Sequence, residues 1–370
     1  MSIYTTPLQF GYFLSLLLFL VFLFRSYYRE MISDRFLAFL MLIFALELQD
    51  YTFGFAGINL LWEELNGFPR GVALLLGPMM YFYLCSQINI NWQFGRKDLW
   101  HLIPWSIGFL FNLVIFLGGE EFVTAYQSSK LSYYQGFLLT LVRWLSYGYY
   151  FYHSIRLYRA YRTWIDQSFS ELETISLSWF RNFIYLMLFW VSFREFMIVL
   201  DFILKLDFYQ DWWWNLVLVG VAVYVGISGL SQAPASRLSF TRDKEVKLAM
   251  KPKITAEHKE IIKRLDHSMQ AEKLFLQSQL NLRDLAQHLK VPGGLLSAAI
   301  NSQKKVNFND YINALRVDEF LTAIEKEGSH AYTLLALALD CGFNSKATFN
   351  RAFKKEKGLS PREYLSTIKK

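Results

Sequence analysis

Ser345-Lys346-Ala347-Thr348-Phe349-Asn350-Arg351-Ala352-Phe353-Lys354-Lys355, close to the end of a 370-residue chain, decides how the rest is read. Ser345 stands where a helix N-cap belongs, its side-chain oxygen placed to accept an orphan N–H of the first turn. Phe349 and Phe353 are four apart with Ala352 beside them, which fixes a buried stripe. Lys346, Ala347, Asn350, Arg351 and Lys354 then project elsewhere, flanked by Thr348 and Lys355. Arg and Asn can read base edges in a major groove by bidentate hydrogen bonds, and Lys suits guanine acceptors or phosphates. On composition alone a charged, solvated helix face is the simpler account. The order of the surrounding residues reverses that judgement.

Outward from this helix, the capping signals repeat. Thr333 opens Leu334-Leu335-Ala336-Leu337-Ala338-Leu339-Asp340, which turns at Cys341-Gly342-Phe343 into the Ser345 helix. Ser360-Pro361-Arg362-Glu363 is a capping box with Pro at the first helical position. Upstream, Asn281 caps a helix with Leu282, Leu285, Ala286 and Leu289 on one face, and Val291-Pro292-Gly293 breaks it. A second short helix, Gly294 to Asn301, buries Leu296, Ala299 and Ile300, and Asn307 caps a long connecting helix with an apolar face from Phe308 to Leu321. Before these, Thr255 is expected to cap a helix that runs through Phe275.

The stretch from Thr333 to Tyr364, with Gly342-Phe343, Phe349-x-Arg351-x-Phe353-Lys354 and Ser360-Pro361-x-Glu363-Tyr364, resembles the C-terminal signature of AraC/XylS-type transcription regulators. Leu282-x-x-Leu285-Ala286 through Leu296-Ser297, with Asn307-Phe308-x-Asp310-Tyr311-Ile312 and Leu315-Arg316, resembles the first half of the same domain. The resemblance implies two helix-turn-helix units joined by the long helix, with two recognition helices in successive major grooves. At the first unit this chain presents Gly294, Ser297 and Ala298, where members of the family often carry large polar readers. The second helix is therefore expected to carry most base readout, with the first docking on the backbone. The upstream half is similar in layout to membrane-tethered members, through Gly77-Pro78-x-x-Tyr81-x-Tyr83 and His101-x-Ile103-Pro104.

Composition divides the chain independently of the motifs. A mean hydropathy of +0.21, 18% aromatic and 19% charged residues are too apolar for a soluble chain of this length. The net charge of +7 gathers at the end, where residues 237–370 hold 24 Lys and Arg against 15 Asp and Glu. Such a basic domain suits a polyanion or an anionic lipid surface. Cys85 and Cys341 have no reason to pair, so no disulfide framework is expected.

Windows of about 20 apolar residues can cross about 30 Å of hydrocarbon. Seven are expected: Leu8–Phe24, Phe36–Tyr51, Gly71–Ile90, Leu99–Leu117, Leu131–His153, Asn182–Leu204 and Trp212–Leu230. Connections after the first, third and fifth are basic (Arg25, Arg29, Arg35; Arg96, Lys97; Arg156, Arg159, Arg162), and the others are acidic (Glu63, Glu64; Glu120, Glu121; Asp207, Asp211). The positive-inside rule then puts the N-terminus outside and the C-terminus in the cytoplasm. Glu47, Arg143, Arg194 and Glu195 fall near one midplane depth, with Asp50 nearer a surface. Ionisable groups there are costly unless paired or facing a wet cavity, so an intramembrane ionic network is expected, either a signal pocket or switch or a structural cluster.

The fold class expected is all-α: a polytopic membrane helix bundle of about seven spans over residues 1–230, a basic linker over 231–254, and a cytoplasmic double helix-turn-helix domain over 255–370. The function expected is a membrane-bound, sequence-specific transcription regulator of the bacterial cytoplasmic membrane. Its partners would be double-stranded promoter DNA and the lipid bilayer, with RNA polymerase, a second copy of the chain and an unnamed signal ligand as further candidates. A passive anchor on the same DNA-binding domain is one rival; a membrane transporter or enzyme with a vestigial basic domain is another. No catalytic constellation, cofactor or metal is expected, since no phosphate-cradling Gly loop or nucleophile motif is present and His101 and His153 lack ligands at helical spacing.

Overall fold

A computed structural model describes residues 4–58, 64–172, 175–205, 208–232, 240, 256–327 and 333–368. Glu63, Asp207, Thr255 and most of the expected linker lie outside them. The described residues are mainly helical, and Phe169 and Asn281 form an isolated antiparallel bridge. It divides into two compact units, Met1–Tyr158 with Leu177–Ser239, and Arg159–Ser176 with Phe240–Lys370. The short segment Arg159–Ser176, far upstream of the linker, thus clusters with the C-terminal helices.

The first unit contains α1 (Thr6–Arg29), α2 (Ile32–Ala56), α3 (Ala73–Ile88), α4 (Ile103–Leu117), α5 (Glu120–Gln127), the first part of α6 (Lys130–Ser168), α7 (Ser178–Leu204) and α8 (Trp212–Ser231). Among the described residues, five helices are long and apolar enough to cross a membrane: Thr6–Arg29, Ile32–Ala56, Asp98–Leu117, Ser178–Asp201 and Trp212–Ser231. Helix α3 is apolar but has 16 residues, and α6 is long but too rich in basic and polar aromatic residues to reach the same apolarity. Small residues let the helices approach closely: a Cβ on Gly226 of α8 would lie 2.4 Å from Leu18 of α1. The Gly77 and His101 motifs meet at one side chain, Tyr150, whose ring fills the space a Cβ on Gly77 would take and whose hydroxyl lies 2.7 Å from His101 Nδ1. Between α1 and α2, Arg25 grips Asp34 through two 2.6 Å bonds, a pairing hidden in a loop read only as basic.

Helix α6 does not stop at His153, where its apolar window ends. Its 39 residues continue to Ser168, because no Gly or Pro interrupts the sequence after Gly148 and buried Leu157, Tyr158, Tyr161 and Ile165 keep helical spacing. Hydropathy marks where apolar character ends, which is a different boundary from where the helix ends. The acidic connection Glu120–Gln127 is likewise a helix, with Glu120 and Glu121 in its first turn, where the helix dipole favours acids.

The second unit comprises the end of α6 and its following loop, then α9 (Ala256–Glu272), α10 (Leu282–His288), α11 (Gly293–Gln303), α12 (Phe308–Glu327), α13 (Leu334–Asp340), α14 (Lys346–Lys357) and α15 (Pro361–Ile368). Helix α9 ends at Glu272 rather than Phe275, because Lys273 turns left-handed (φ 48°) and Leu274–Leu276 forms a single 3-10 turn. Two apolar clusters build the unit. One joins Leu265 and Met269 to Leu285, Leu296, Ile300 and Ile312; the other joins Val317 and Phe320 to Phe343, Phe349 and Phe353. Both draw on α12, which belongs to the first cluster through Phe308, Tyr311 and Ile312 and to the second through Val317 and Phe320.

Candidate nucleic-acid interface

The local caps are formed by the residues whose chemistry suits them. Asn281 Oδ1 accepts from the Asp284 N–H at 3.0 Å, Asn307 Oδ1 from Asp310 at 2.8 Å, Thr333 Oγ1 from Ala336 at 3.2 Å and Ser345 Oγ from Thr348 at 3.2 Å. Ser360 and Glu363 exchange reciprocal bonds, Ser360 N–H to Glu363 Oε2 at 2.9 Å and Glu363 N–H to Ser360 Oγ at 3.3 Å. Those bonds hold the Glu363 carboxyl below its ordinary range. Helices α10 and α11 form one helix-turn-helix, α13 and α14 the other.

In the second unit the turn depends on Gly342, at φ +91°. A Cβ there would lie 2.7 Å from the backbone oxygen of Leu276, so no other residue fits without moving that strand of backbone. Helix α14 turns Phe349, Ala352 and Phe353 inward and leaves Lys346, Ala347, Asn350, Arg351, Lys354 and Lys355 exposed. Thr348 is buried at 7% exposure, and its hydroxyl meets Ser345 Oγ at 3.2 Å, which places it in the cap and core of the helix. Gly294, Ser297 and Ala298 on α11 are half-buried and offer one hydroxyl between them.

The edge of α14 toward α12 is charged on both sides. Lys355 Nζ donates to Asp310 Oδ1 at 2.6 Å, and a 230 Å³ cavity there is lined by Asp166, Asp310, Arg351 and Lys355 among others. Burial raises the Asp166 carboxyl above its ordinary value and Asp310 adds to the rise, against the opposing pull of Arg162 and Lys355. Sequence reasoning missed Asp166 altogether, because the α12 and α14 side chains beside it in space lie far downstream in sequence. At the centre of the domain Arg316 is buried, donating to the carbonyls of Phe275 at 2.7 Å and Gln277 at 2.8 Å. Burial lowers its guanidinium to about 10, with Glu171 pulling the other way.

In the first unit the expected midplane charges come together. Arg194 lies 2.9 Å from Glu195 and 3.9 Å from Glu47, and Arg143 lies 3.6 Å from Glu195. The Arg194 guanidinium also sits over the rings of Trp190 and Trp214 at 5.3 and 5.9 Å. Asp50 pairs outside this group, with Arg70 at 3.3 Å, because a short step along α2 turns it toward the residues before α3.

Two capped helix pairs share one long helix, and the second pair exposes a row of cationic and amide side chains. Residues 285–367 match a family model described as a helix-turn-helix domain. The match supports an AraC-type helix-turn-helix regulator that binds double-stranded DNA. It takes in α11 to α14 whole, with the parts of α10 and α15 that fall inside the matched range. No curated protein and no solved structure matches the chain.

Proposed function

We propose that this chain is a membrane-anchored, sequence-specific transcription regulator in which seven membrane crossings, counting α3 and the first part of α6, bear on promoter binding by residues 282–368. The observation that carries this reading is the matched helix-turn-helix domain following five long apolar helices in one chain. Base reading falls to Asn350 and Arg351 of α14, phosphate contact to Lys346, Lys354 and Lys355, and backbone docking to Gly294, Ser297 and Ala298 of α11. In this reading the N-terminus lies outside and the helix-turn-helix domain in the cytoplasm of a bacterial cell, which the alternation of basic and acidic connections supports. The bundle acts as a sensor rather than an inert anchor. Support for that comes from the clustered Glu47, Arg143, Arg194 and Glu195, which a purely passive anchor has no need to bury.

The test is selection of duplexes from a randomised pool by the full chain in detergent micelles, paired with labelling of single cysteines placed in the connections of intact cells. Enrichment of one sequence and cytoplasmic protection of the C-terminus are the expected results. A folded chain that enriches nothing overturns the DNA-binding reading.

A further inference from the structure

Residues 169–171 touch three separate parts of the helix-turn-helix domain. The Ser170 N–H and hydroxyl both donate to the Leu280 carbonyl, at 3.3 and 2.6 Å, beside the Phe169–Asn281 bridge at the entrance to the first helix-turn-helix. On the connecting helix α12, Asn309 donates to the carbonyls of Phe169 at 3.1 Å and Ser170 at 2.9 Å, and Arg316 donates to Ser170 Oγ at 3.3 Å. At the second unit, Asn344 donates to Glu171 Oε2 at 3.1 Å, one residue before the Ser345 cap of α14. Ser170 and Glu171 are themselves buried, at 0% and 8% exposure. Buried polar groups tied this fully fix geometry, since each broken bond leaves a desolvated partner unsatisfied.

The same segment is the end of α6, the helix that begins at Lys130 in the first unit. Within the second unit its last turns are seated by Tyr161 and Trp164 against buried Phe240, and by the Tyr161 hydroxyl donating to the Ile175 carbonyl.

We propose that residues 159–172 are the element through which the membrane helices set DNA specificity: Ser170 and Glu171 pin both helix-turn-helix units to α12 and so fix the spacing of α11 and α14 for two successive major grooves. Ser170 and Glu171 are positioning residues that touch no DNA. This rests on the DNA-binding reading above. A duplex read by two helices needs both at one spacing, whereas sequence-independent binding to phosphates tolerates a looser one. Loosening the pin therefore lowers binding to the preferred duplex more than binding to a scrambled one.

The experiment uses the full chain in detergent micelles and two probes, the duplex that the unaltered chain selects from a random pool and its scrambled counterpart. Ser170→Ala with Glu171→Gln should weaken the selected duplex about tenfold, the scale of one lost buried hydrogen bond, and the scrambled one far less. Ser170→Thr, which keeps the hydroxyl, should restore most of that difference. Hydrogen exchange on the unaltered chain supplies a measurement independent of any variant's folding: the selected duplex should slow exchange of amides in 160–172, and the scrambled duplex should not. An equal loss on both duplexes, or no change of exchange in 160–172, overturns the proposal while leaving the DNA-binding reading in place. If the unaltered chain selects no duplex, the DNA-binding reading falls and this one with it.

Discussion

Arg316 and Ser170, 146 residues apart in the sequence, share a 3.3 Å hydrogen bond inside the helix-turn-helix unit. The apolar clusters of that unit lie wholly within residues 261–353, so a fragment covering residues 256–370 retains the core that drives its folding. It should be soluble and helical and should bind duplex DNA with an affinity that falls steeply as salt rises, because phosphate neutralisation releases counterions. Appending residues 159–176 through a flexible linker should raise its melting temperature, since Ser170 and Glu171 then satisfy Arg316, Asn309 and Asn344. Equal melting with and without the appended segment would show those bonds to be inconsequential.

On α14, Arg351 is free to reach a base edge, its Nε making only a long 3.4 Å bond to the Ala347 carbonyl. Arg351→Ala should cost about 1–3 kcal/mol on the preferred duplex and relax the preference at one base. Lys354→Ala should instead weaken all duplexes alike and reduce the salt slope by about one. Ser297→Ala should do little. Affinities for matched and scrambled duplexes across a salt series separate the three.

Arg143 faces Glu195 at 3.6 Å in the first unit, both largely buried. Arg143→Leu leaves that carboxylate with Arg194 as its remaining cation, so the loss should fall below the about 3–5 kcal/mol of a charge stranded in the interior. The expected outcome is less protein in the membrane or an altered transcriptional response, and Arg143→Leu with Glu195→Leu should recover more than either alone. Normal membrane levels and a normal response in the single variant would make the cluster structural only.

Asp166 has its folded-state acidity weakened by burial and by Asp310. A carboxyl whose folded value is raised costs stability once pH climbs above its ordinary range, with the full cost present above the raised value. Asp166→Asn should therefore raise the melting temperature at neutral pH, and the gain should vanish at acid pH, where both states carry the proton. A melting series across that range reads the sign directly.

Gly342→Ala combines a positive φ with a Cβ placed 2.7 Å from the Leu276 oxygen. The backbone conformation alone costs a non-glycine residue about 1–3 kcal/mol, and the close approach adds to it. Thermal melting of the purified chain should show the second helix-turn-helix weakened. A variant as stable as the parent would mean that Leu276 moves aside freely.

The caps at Asn281, Asn307, Thr333, Ser345 and Ser360 were legible in the sequence because a cap is a contract between residues three apart. The inward stripe of α14 was legible for the same reason. What stayed hidden depends on distance along the chain. Nothing near Ser170 announces Leu280, Asn309 and Arg316 as its partners, and nothing near Asp166 announces Lys355. Asp50, three residues from Glu47 and expected nearer a surface, joins the ionic network in the sequence reading, while its partner Arg70 sits 20 residues on, in a connection whose path hydropathy does not trace. The end of α9 was misjudged because Phe275 keeps the apolar rhythm of the helix although Lys273 has already left it.

A protease that cut the chain anywhere between Ser231 and Ala256 would release a C-terminal piece carrying α9 to α15, yet Ser170 and Glu171 would stay behind with the apolar N-terminal helices. Shedding the domain is therefore chemically different from activating it. The liberated piece would keep its recognition helices but lose the carbonyls that Asn309 binds, the Ser170 hydroxyl that Arg316 binds and the carboxylate that Asn344 binds in the whole protein. The freed piece should still bind duplexes but discriminate among them less sharply than the intact chain, so clipping would blunt selection rather than release it.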